Sequence, residues 1–418
     1  MTPLESAAHT SPPQPAPPSG PAAAGGSGPS MGRLVGVDLA RALAVFGMFA
    51  VHVGPFEAAP GDVGGWVRTL SEGRASALFA TLAGFSLMLI AGRFEPRTGL
   101  AGRQAKARIV IRAGILLAAG TALTMTNFGD AVILNAYAVF FLLALPLTRL
   151  RARTLAITAA VLALVGPQVA FGLRTWLGEP ILNSINAYDP LERLCGVGVL
   201  DLLLTGFFPA ITWMPFVIAG MALARLDLAA GAVQRRLAVL GPALIVLGYG
   251  TSWLALKVFG GAIPDHMPDG MPPTDAMAEA AGSGPPPGTR SFEPDPWLLL
   301  AAEPHSGSTF DVIGCLGVAI TVLVGATVAM ARLPRLRRLA GPVIAVGTMS
   351  LTVYVGHILA ILALPGENAT PPDANSTVLL GAFVLGAVVF AALWSRVFRR
   401  GPLEYLLNDA TRLARFVR

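Results

Sequence analysis

Long apolar segments are the feature that most constrains this chain of 418 residues. A helix needs about 20 consecutive, mostly apolar residues to cross the hydrocarbon core of a bilayer. Only 13% of the residues are charged, against about 25% in a soluble domain. The sequence therefore predicts an all-α fold, a polytopic integral-membrane bundle of about ten transmembrane helices. The ten segments are 34–54, 74–92, 108–126, 129–148, 154–173, 197–224, 237–259, 310–331, 339–364 and 377–396.

Basic residues between these segments predict the orientation of the chain. Loops rich in Lys and Arg stay in the cytoplasm, and an inside N-terminus puts 24 of the 30 Lys and Arg residues there. We therefore expect a multi-pass protein of the inner or plasma membrane with both termini in the cytoplasm. Its expected partner is the lipid bilayer, and we expect no binding of nucleic acid. The six outer basic residues are Arg68, Arg74, Arg174, Arg193, Lys257 and Arg290.

Composition divides the chain into three regions. Residues 1–30 are mostly Pro, Ala, Gly and Ser, and such a segment cannot bury enough apolar surface to fold, so we predict a disordered cytoplasmic tail. Residues 31–410 form the transmembrane domain, which contains a Pro- and Gly-rich extracytoplasmic loop at about 260–309. Residues 411–418 form a basic cytoplasmic tail. The oligomeric state stays open, with a homodimer among the alternatives.

Three ionisable residues interrupt the first apolar segment: Asp38, Arg41 and His52. At about 100° per residue they share one stripe of a helix, with Arg41 and His52 roughly 16 Å apart along its axis. A charge at bilayer depth costs at least about 2.5–3.5 kcal/mol, so we expect the stripe to face a polar cavity. The alternative is structural: Asp38 and Arg41 form an ion pair near the inner interface, and His52 caps the helix at the outer one.

A second polar group lies where the long outer loop meets the eighth segment: His305, Ser306 and Asp311. One interpretation is a site that binds a polar acceptor or orients His52. The alternative is a solvated loop that caps the next helix through Ser308 or Thr309. Both interpretations remain open from the sequence.

Three further residues are candidates for the site. Tyr354 and His357 are three residues apart in the ninth segment and therefore share a helix face. An ionisable group inside a membrane segment indicates function, although a buried His can also be a hydrogen-bonded core residue. Trp213, between two prolines, lines a pocket or anchors the chain at the membrane interface. No zinc, Walker or dinucleotide motif occurs in a supporting context, so we expect no metal.

The first segment resembles the first helix of a superfamily of transmembrane acyltransferases, through GVDLARALAVFGMFAVHV at 36–53. In membrane O-acyltransferases that decorate surface glycans, an Arg precedes a His with the spacing of Arg41 and His52. The heparan-alpha-glucosaminide N-acetyltransferase family has a similar Asp-x-x-Arg start. In that family Asn usually takes the place of His52 and the family's His comes further along, so this sequence departs from that arrangement.

The chain as a whole is similar to the uncharacterised bacterial YeiB-like membrane proteins. The resemblance covers most of residues 33–410, and the Arg-Arg-Gly-Pro-Leu-Glu motif at 399–404 is specific to that family. The segments that carry it are FFPAITWMPFVIAGMALAR (207–225), PHSGSTFDVIGCLGVA (304–319), GTMSLTVYVGHI (347–358) and WSRVFRRGPLEYL (394–406).

The acyltransferase resemblance implies an enzyme that moves an acyl group, in the first place acetyl, from cytoplasmic acyl-CoA to an extracytoplasmic sugar or lipid-linked glycan. His52 would act as general base or carry the acyl group as nucleophile. The alternative is a transporter that carries a small polar solute through the same cavity. The acceptor, N- or O-acylation, and the acyl chain length are left open. The residues assigned to donor or substrate binding are Asp38, Arg41, Trp213, His305, Ser306, Asp311, Tyr354 and His357.

Overall fold

A computed structural model describes residues 31–55, 63–259, 296–364 and 377–417. The predicted tail at 1–30, the larger part of the predicted outer loop and the last residue lie outside these ranges. Within them the chain forms helices and connecting turns and contains no strand. The predicted all-α class is confirmed for this part of the chain.

The α-helices of the described ranges follow one another with short connections, several of them π or 3₁₀ turns. Their bounds are α1 (Met31–Val53), α2 (Val63–Ser71), α3 (Arg74–Ala91), α4 (Gly99–Leu123), α5 (Leu134–Ala144), α6 (Ala152–Tyr188), α7 (Pro190–Cys195), α8 (Ala210–Ala224), α9 (Gly231–Ile245), α10 (Thr251–Phe259), α11 (Thr309–Arg332), α12 (Pro334–Leu339), α13 (Gly341–Thr348), α14 (Ser350–Leu362), α15 (Thr377–Trp394) and α16 (Pro402–Ala410).

The predicted count of ten spans is not confirmed. In the described part of the chain seven helical stretches are long and apolar enough to cross a membrane. An eighth span results if α13 and α14, which are bent by 87° at Met349, are taken together. The helices α5 and α8, of 11 and 15 residues, are shorter than a full crossing. The seven stretches are Val35–Val53, Arg74–Ala91, Gly99–Thr126, Ala152–Tyr188, Gly231–Phe259, Thr309–Arg332 and Thr377–Trp394.

Local breaks explain why two predicted spans become short helices. The predicted segment 129–148 follows a π turn at Thr124–Phe128, and its helix ends before Pro146. The predicted segment 197–224 starts as a π turn at Asp201–Thr205, and α8 begins only after Pro209. A proline fits the start of a helix because the amide that it lacks would have no helical partner there.

The centre of the bundle is closely packed. An added Cβ at Gly84 would lie 1.9 Å from the Val217 carbonyl oxygen, and one at Gly220 would lie 1.8 Å from the Thr81 oxygen. Such small residues let membrane helices approach each other closely, so α3 and α8 pack backbone to backbone. The α1 helix is also enclosed: of its residues from Val35 to Val53 only Leu43 is exposed. The polar side chains of α1 therefore face protein.

Candidate active site

The ion pair on α1 connects this helix to α3. Arg41 Nη1 lies 2.6 Å from Asp38 Oδ1, and Arg41 Nη2 donates to Ser86 Oγ at 2.8 Å. Both charged side chains are 19% exposed. The ion pair of the structural alternative is thus present. Neither Asp38 nor Arg41 lines the cavity described below.

The broken span α13–α14 packs against α1. At Gly347 an added Cβ would lie 1.7 Å from the Asp38 carbonyl oxygen, so only glycine permits this approach. The chain then bends at Met349, and α14 continues towards the His52 end of α1. This bend brings His357 of α14 beside His52.

Two histidines meet at the end of α1. His52 Nδ1 lies 2.8 Å from His357 Nε2, and the two rings are parallel within 3° with centroids 5.1 Å apart. His357 is 3% exposed and also packs against Phe49. The edge of the Phe128 ring faces His52 at a centroid distance of 5.0 Å. The sequence placed both histidines in the site but did not predict their contact.

The hydrogen-bond partners assign the tautomers of this pair when both rings are neutral. His357 Nδ1 bonds to the Tyr354 carbonyl oxygen, and a carbonyl only accepts, so Nδ1 carries the proton and Nε2 is an acceptor. His52 Nδ1 then donates to His357 Nε2. No described residue bonds to His52 Nε2, so its lone pair is free, which is the arrangement of a general base or nucleophile.

Tyr354 holds the wall beside the histidine pair. Its hydroxyl accepts a hydrogen bond from the Ile133 backbone amide at 3.3 Å, and its side chain is buried. Ile133 follows the π turn Thr124–Phe128 and the 3₁₀ turn Gly129–Ala131. Interruptions of this kind often occur at functional sites. Here the interruption turns Phe128 and Ile133 towards the His52 end of the bundle.

A small cavity opens beside His52. Ionisable groups from three segments line it: His52, Glu72 and His305. The remaining wall is largely apolar and includes Met48, Val51, Ser76, Ala131, Ile133, Phe207, Phe208, Pro304 and Tyr354. Polar groups that converge in an apolar cavity are the usual arrangement of a small-molecule site.

Sequence reasoning missed Glu72 and Arg68 at this end of the bundle. Arg68 is 2% exposed, donates to the Val51 carbonyl oxygen at the end of α1 and lies 3.9 Å from Glu72. From the sequence Arg68 was counted only among the outer basic residues, and Glu72 was not singled out. A basic residue on the predicted outer side, next to an acidic one, was the available signal. Their contacts with the end of α1 depend on the packing of α2, which the sequence pattern does not specify.

His305 is held in an aromatic box. Its ring stacks on Phe207 at a centroid distance of 4.1 Å and on Trp213 at 5.7 Å, with the edge of Phe208 at 5.5 Å. Its backbone has a φ of 62°, uncommon for a residue other than glycine. Nδ1 is buried without a hydrogen-bond partner among the described residues. Burial, with a smaller contribution from nearby His52, lowers the pKa of His305 to about 3.

The other predicted site residues of this loop have structural contacts. Ser308 Oγ accepts from the Asp311 amide at 3.1 Å, so Ser308 is the N-cap of α11 as the second interpretation described. The Asp311 carboxylate accepts from the Cys315 thiol at 3.2 Å. Ser306 is exposed. Neither Ser306 nor Asp311 lines the cavity, and the side chain that bonds to His52 is that of His357.

Trp213 lies inside the bundle. It is 4% exposed and stacks on His305, so it supports the wall of the cavity from behind. This burial fits the pocket alternative rather than an anchor that faces lipid. In the part of the chain that the structure describes, no group of three or more His, Cys, Asp or Glu side chains is placed to hold a metal ion.

Two family models match adjacent parts of the chain. Residues 33–251 match the model described as heparan-alpha-glucosaminide N-acetyltransferase, catalytic. Residues 297–414 match DUF418, described as a protein of unknown function. The resemblances to the N-acetyltransferase and YeiB-like families are thereby confirmed. No curated protein matches the chain significantly. The first matched range contains His52, and the second contains His305 and His357.

Proposed function

The chain belongs to the heparan-alpha-glucosaminide N-acetyltransferase catalytic family, and on this basis we propose that it is an integral-membrane acyltransferase. The donor is an acyl-CoA bound from the cytoplasm, and acetyl-CoA is the donor that we expect. The acceptor is an amine or hydroxyl of a sugar or lipid-linked glycan on the other side. The protein lies in the inner or plasma membrane with both termini in the cytoplasm.

The observation that carries this proposal is the contact of His52 Nδ1 with His357 at the cavity wall, which leaves His52 Nε2 to accept a proton. The acceptor nitrogen or oxygen attacks the carbonyl carbon of the thioester while its proton passes to His52 Nε2. The tetrahedral intermediate then collapses, the carbon–sulfur bond breaks, and the CoA thiolate takes the proton back from Nε2. A positioned base of this kind contributes typically about 10²–10⁴-fold to the rate.

His357 acts as a positioning residue in this scheme. It accepts the Nδ1 proton of His52 and donates its own Nδ1 proton to the Tyr354 carbonyl. The imidazolium that forms during transfer therefore keeps a hydrogen-bond acceptor on the side away from the substrate. A base oriented by a third group is the general arrangement of such catalytic sites.

A covalent route uses the same lone pair. His52 Nε2 attacks the thioester carbon, the carbon–sulfur bond breaks, and CoA leaves as the thiolate. The acyl-histidine then passes its acyl group to the acceptor, whose proton goes to the thiolate. Mass spectrometry of protein quenched after mixing with acetyl-CoA alone separates the two routes. An acetyl group on the peptide that contains His52 supports the covalent route, and unmodified peptide supports direct transfer.

This active site departs from the family arrangement, in which Asn usually stands at the place of His52. The sequence has five histidines, and three of them lie at or next to the cavity. Two of those three come from the range that matches the second family model. We infer that both matched ranges contribute to one catalytic centre.

Acyl transfer by purified protein tests the proposal. Full-length protein in detergent is mixed with acetyl-CoA and a panel of amino sugars and hydroxylated sugars, and free thiol is followed. We expect saturable thiol release that depends on the acceptor. If no acceptor raises thiol release above the level of acetyl-CoA alone, and CoA esters do not shift the thermal midpoint, the acyltransferase proposal is wrong.

One observation favours the alternative, a transporter. The span formed by α13 and α14 is broken by an 87° bend, and discontinuous helices form substrate sites in many transporters. Proteoliposomes without acyl-CoA distinguish the two functions. Uptake of a small polar solute that requires the protein would support transport, whereas acyl transfer without solute uptake would support the enzyme.

A further inference from the structure

Three arginines from two distant parts of the chain lie together. Arg108 and Arg112 are four residues apart on α4 and therefore share one face. Arg400 directly precedes α16, which packs against α4, and it is near enough to Arg112 for their charges to interact. Arg112 is about 18 Å along the helix from Thr124, where the π turn that leads to the cavity begins. The cluster therefore lies away from the His52 end.

Arg112 differs from the basic residues of the loops. It belongs to the candidate span Gly99–Thr126, and its Nε is buried without a hydrogen-bond partner among the described residues. The positive-inside rule accounts for arginines in water-exposed loops, but not for one whose Nε is buried within a span. Ionisable residues within a span usually mark a functional site.

The nearby carboxylate does not neutralise this cluster. Glu404 lies within electrostatic range of Arg112, but its oxygens accept hydrogen bonds from the amides of Leu351 and Thr352 at 2.8 and 3.2 Å and from the Thr352 hydroxyl at 2.5 Å. No ion pair joins it to the three arginines in the described ranges. The cluster therefore repels itself unless an anion binds.

The family-specific motif fixes Arg400 in place. The Trp394 indole donates to the Arg400 carbonyl oxygen at 2.8 Å. An added Cβ at Gly401 would lie 2.3 Å from Glu404 Oε2 and 2.5 Å from Thr352 Oγ1, so the motif is packed tightly against the start of α14. Arg400 itself is exposed, and its guanidinium is available to a ligand.

We propose that Arg108, Arg112 and Arg400 form a phosphate-binding site that takes the phosphate groups of the acyl-CoA donor. The proposal rests on the acyltransferase function. Guanidinium groups suit phosphate because their planar donors can bind two oxygens at once. The α14 helix starts at the motif beside this site and carries His357 about 10 Å further along. One helix thus connects the phosphate site to the catalytic pair.

Binding measurements with parts of the donor test this site. Purified full-length protein in detergent is titrated with CoA, adenosine 3′,5′-bisphosphate and S-acetylpantetheine, which lacks the nucleotide. We expect Arg112→Gln and Arg400→Gln to weaken CoA and bisphosphate binding by about tenfold or more, because hydrogen bonds between charged groups are strong. Binding of S-acetylpantetheine stays unchanged. Arg399→Gln, in the neighbouring exposed position, is the matched control and leaves all three affinities unchanged.

Three outcomes overturn the proposal. CoA binding that is unchanged in Arg112→Gln and Arg400→Gln, or an equal loss for S-acetylpantetheine, excludes a phosphate site. If the variants lose binding of an anionic lipid titrated in detergent but keep binding of CoA, the cluster binds lipid headgroups instead. Because Arg400 is exposed, the Arg400→Gln variant still tests the phosphate site if Arg112→Gln fails to fold. Bisphosphate binding that needs Arg400 in a protein without acyl transfer would instead leave the site standing and contradict the proposed function.

Discussion

The two ends of α1 hold their ionisable residues in different ways. At one end Asp38 and Arg41 neutralise each other within one turn of the same helix, at 2.6 Å. At the other end His52 has its partner 305 residues away on α14 and faces a cavity. Asp38 and Arg41 thus find their charge partners in the same helix, whereas the contact between His52 and His357 leaves one ring nitrogen of His52 free.

This difference separates stability from chemistry along a single helix. A carboxylate and a guanidinium that satisfy each other have little to offer a substrate, whereas a histidine with one nitrogen bonded and one free can transfer protons. We therefore expect changes at the Arg41 end to affect folding and changes at the His52 end to affect turnover. Each prediction below tests this division.

The largest effect is expected for His52→Ala. Loss of the base should lower turnover by about 10²–10⁴-fold, with the affinity for CoA and the thermal midpoint nearly unchanged. Thiol release and CoA titration of the purified variant are the measurements. Turnover close to wild type would contradict the role of His52 and would direct attention to Glu72 and His305 in the same cavity.

A smaller loss is expected when the positioning residue changes. His357→Leu removes a hydrogen bond to a group that becomes charged, worth about 1.5–3 kcal/mol, so turnover should fall by about 10–100-fold. His357→Gln can accept from His52 and donate to the Tyr354 carbonyl, and it should recover part of the rate. If the role of His357 were merely structural, each variant would lose turnover only to the extent that its thermal midpoint falls.

At the other end of α1 the expected effect is on stability. Arg41→Gln leaves Asp38 without its charge partner and should destabilise the fold by about 1–3 kcal/mol, less than a fully buried pair because both side chains are partly exposed. The double variant Asp38→Asn with Arg41→Gln should lose less. Thermal midpoints in detergent measure this. A fall in turnover per folded molecule, without a fall in the midpoint, would place Arg41 in the reaction site.

The smallest effect concerns pH and His305. Its native pKa of about 3 lies below its usual value of 6.5, so between these values the unfolded chain binds a proton that the native protein does not. The contribution of His305 to the free energy of unfolding is fully present above pH 6.5 and is lost progressively as the pH falls towards 3. His305→Asn, which tolerates the positive φ, should show a smaller drop of the thermal midpoint from pH 7 to pH 5. Parallel pH curves would contradict this.

The parts of the fold that the sequence predicted are those that depend on local pattern. The apolar segments gave the all-α class, and the three-residue spacing of Asp38 and Arg41 gave the ion pair as an alternative. The bend at Met349 was missed because it depends on the close approach of Gly347 to α1 and on Glu404 at the start of α14. The break before α5 was missed because no proline marks the π turn.

The candidate site was predicted in its members but not in its arrangement. His52, His305, Tyr354 and His357 were singled out one by one, since an ionisable or aromatic group in a span is visible in the sequence. Their partners come from elements far apart in the chain, and only packing brings them together. Arg400 illustrates the same limit, because in the sequence it looks like any other basic residue of an inner loop.

Nitrogen NMR of the histidines tests the central claim most directly. The protein is labelled with ¹⁵N-histidine, and because the chain has five histidines, single His52→Gln and His357→Gln variants suffice to assign the relevant signals. At neutral pH we predict a protonated Nδ1 and an unprotonated Nε2 for both His52 and His357, with a coupling between His52 Nδ1 and His357 Nε2 across their hydrogen bond. A proton on His52 Nε2 would contradict the account, because the nitrogen that faces the cavity could then accept no proton from a substrate.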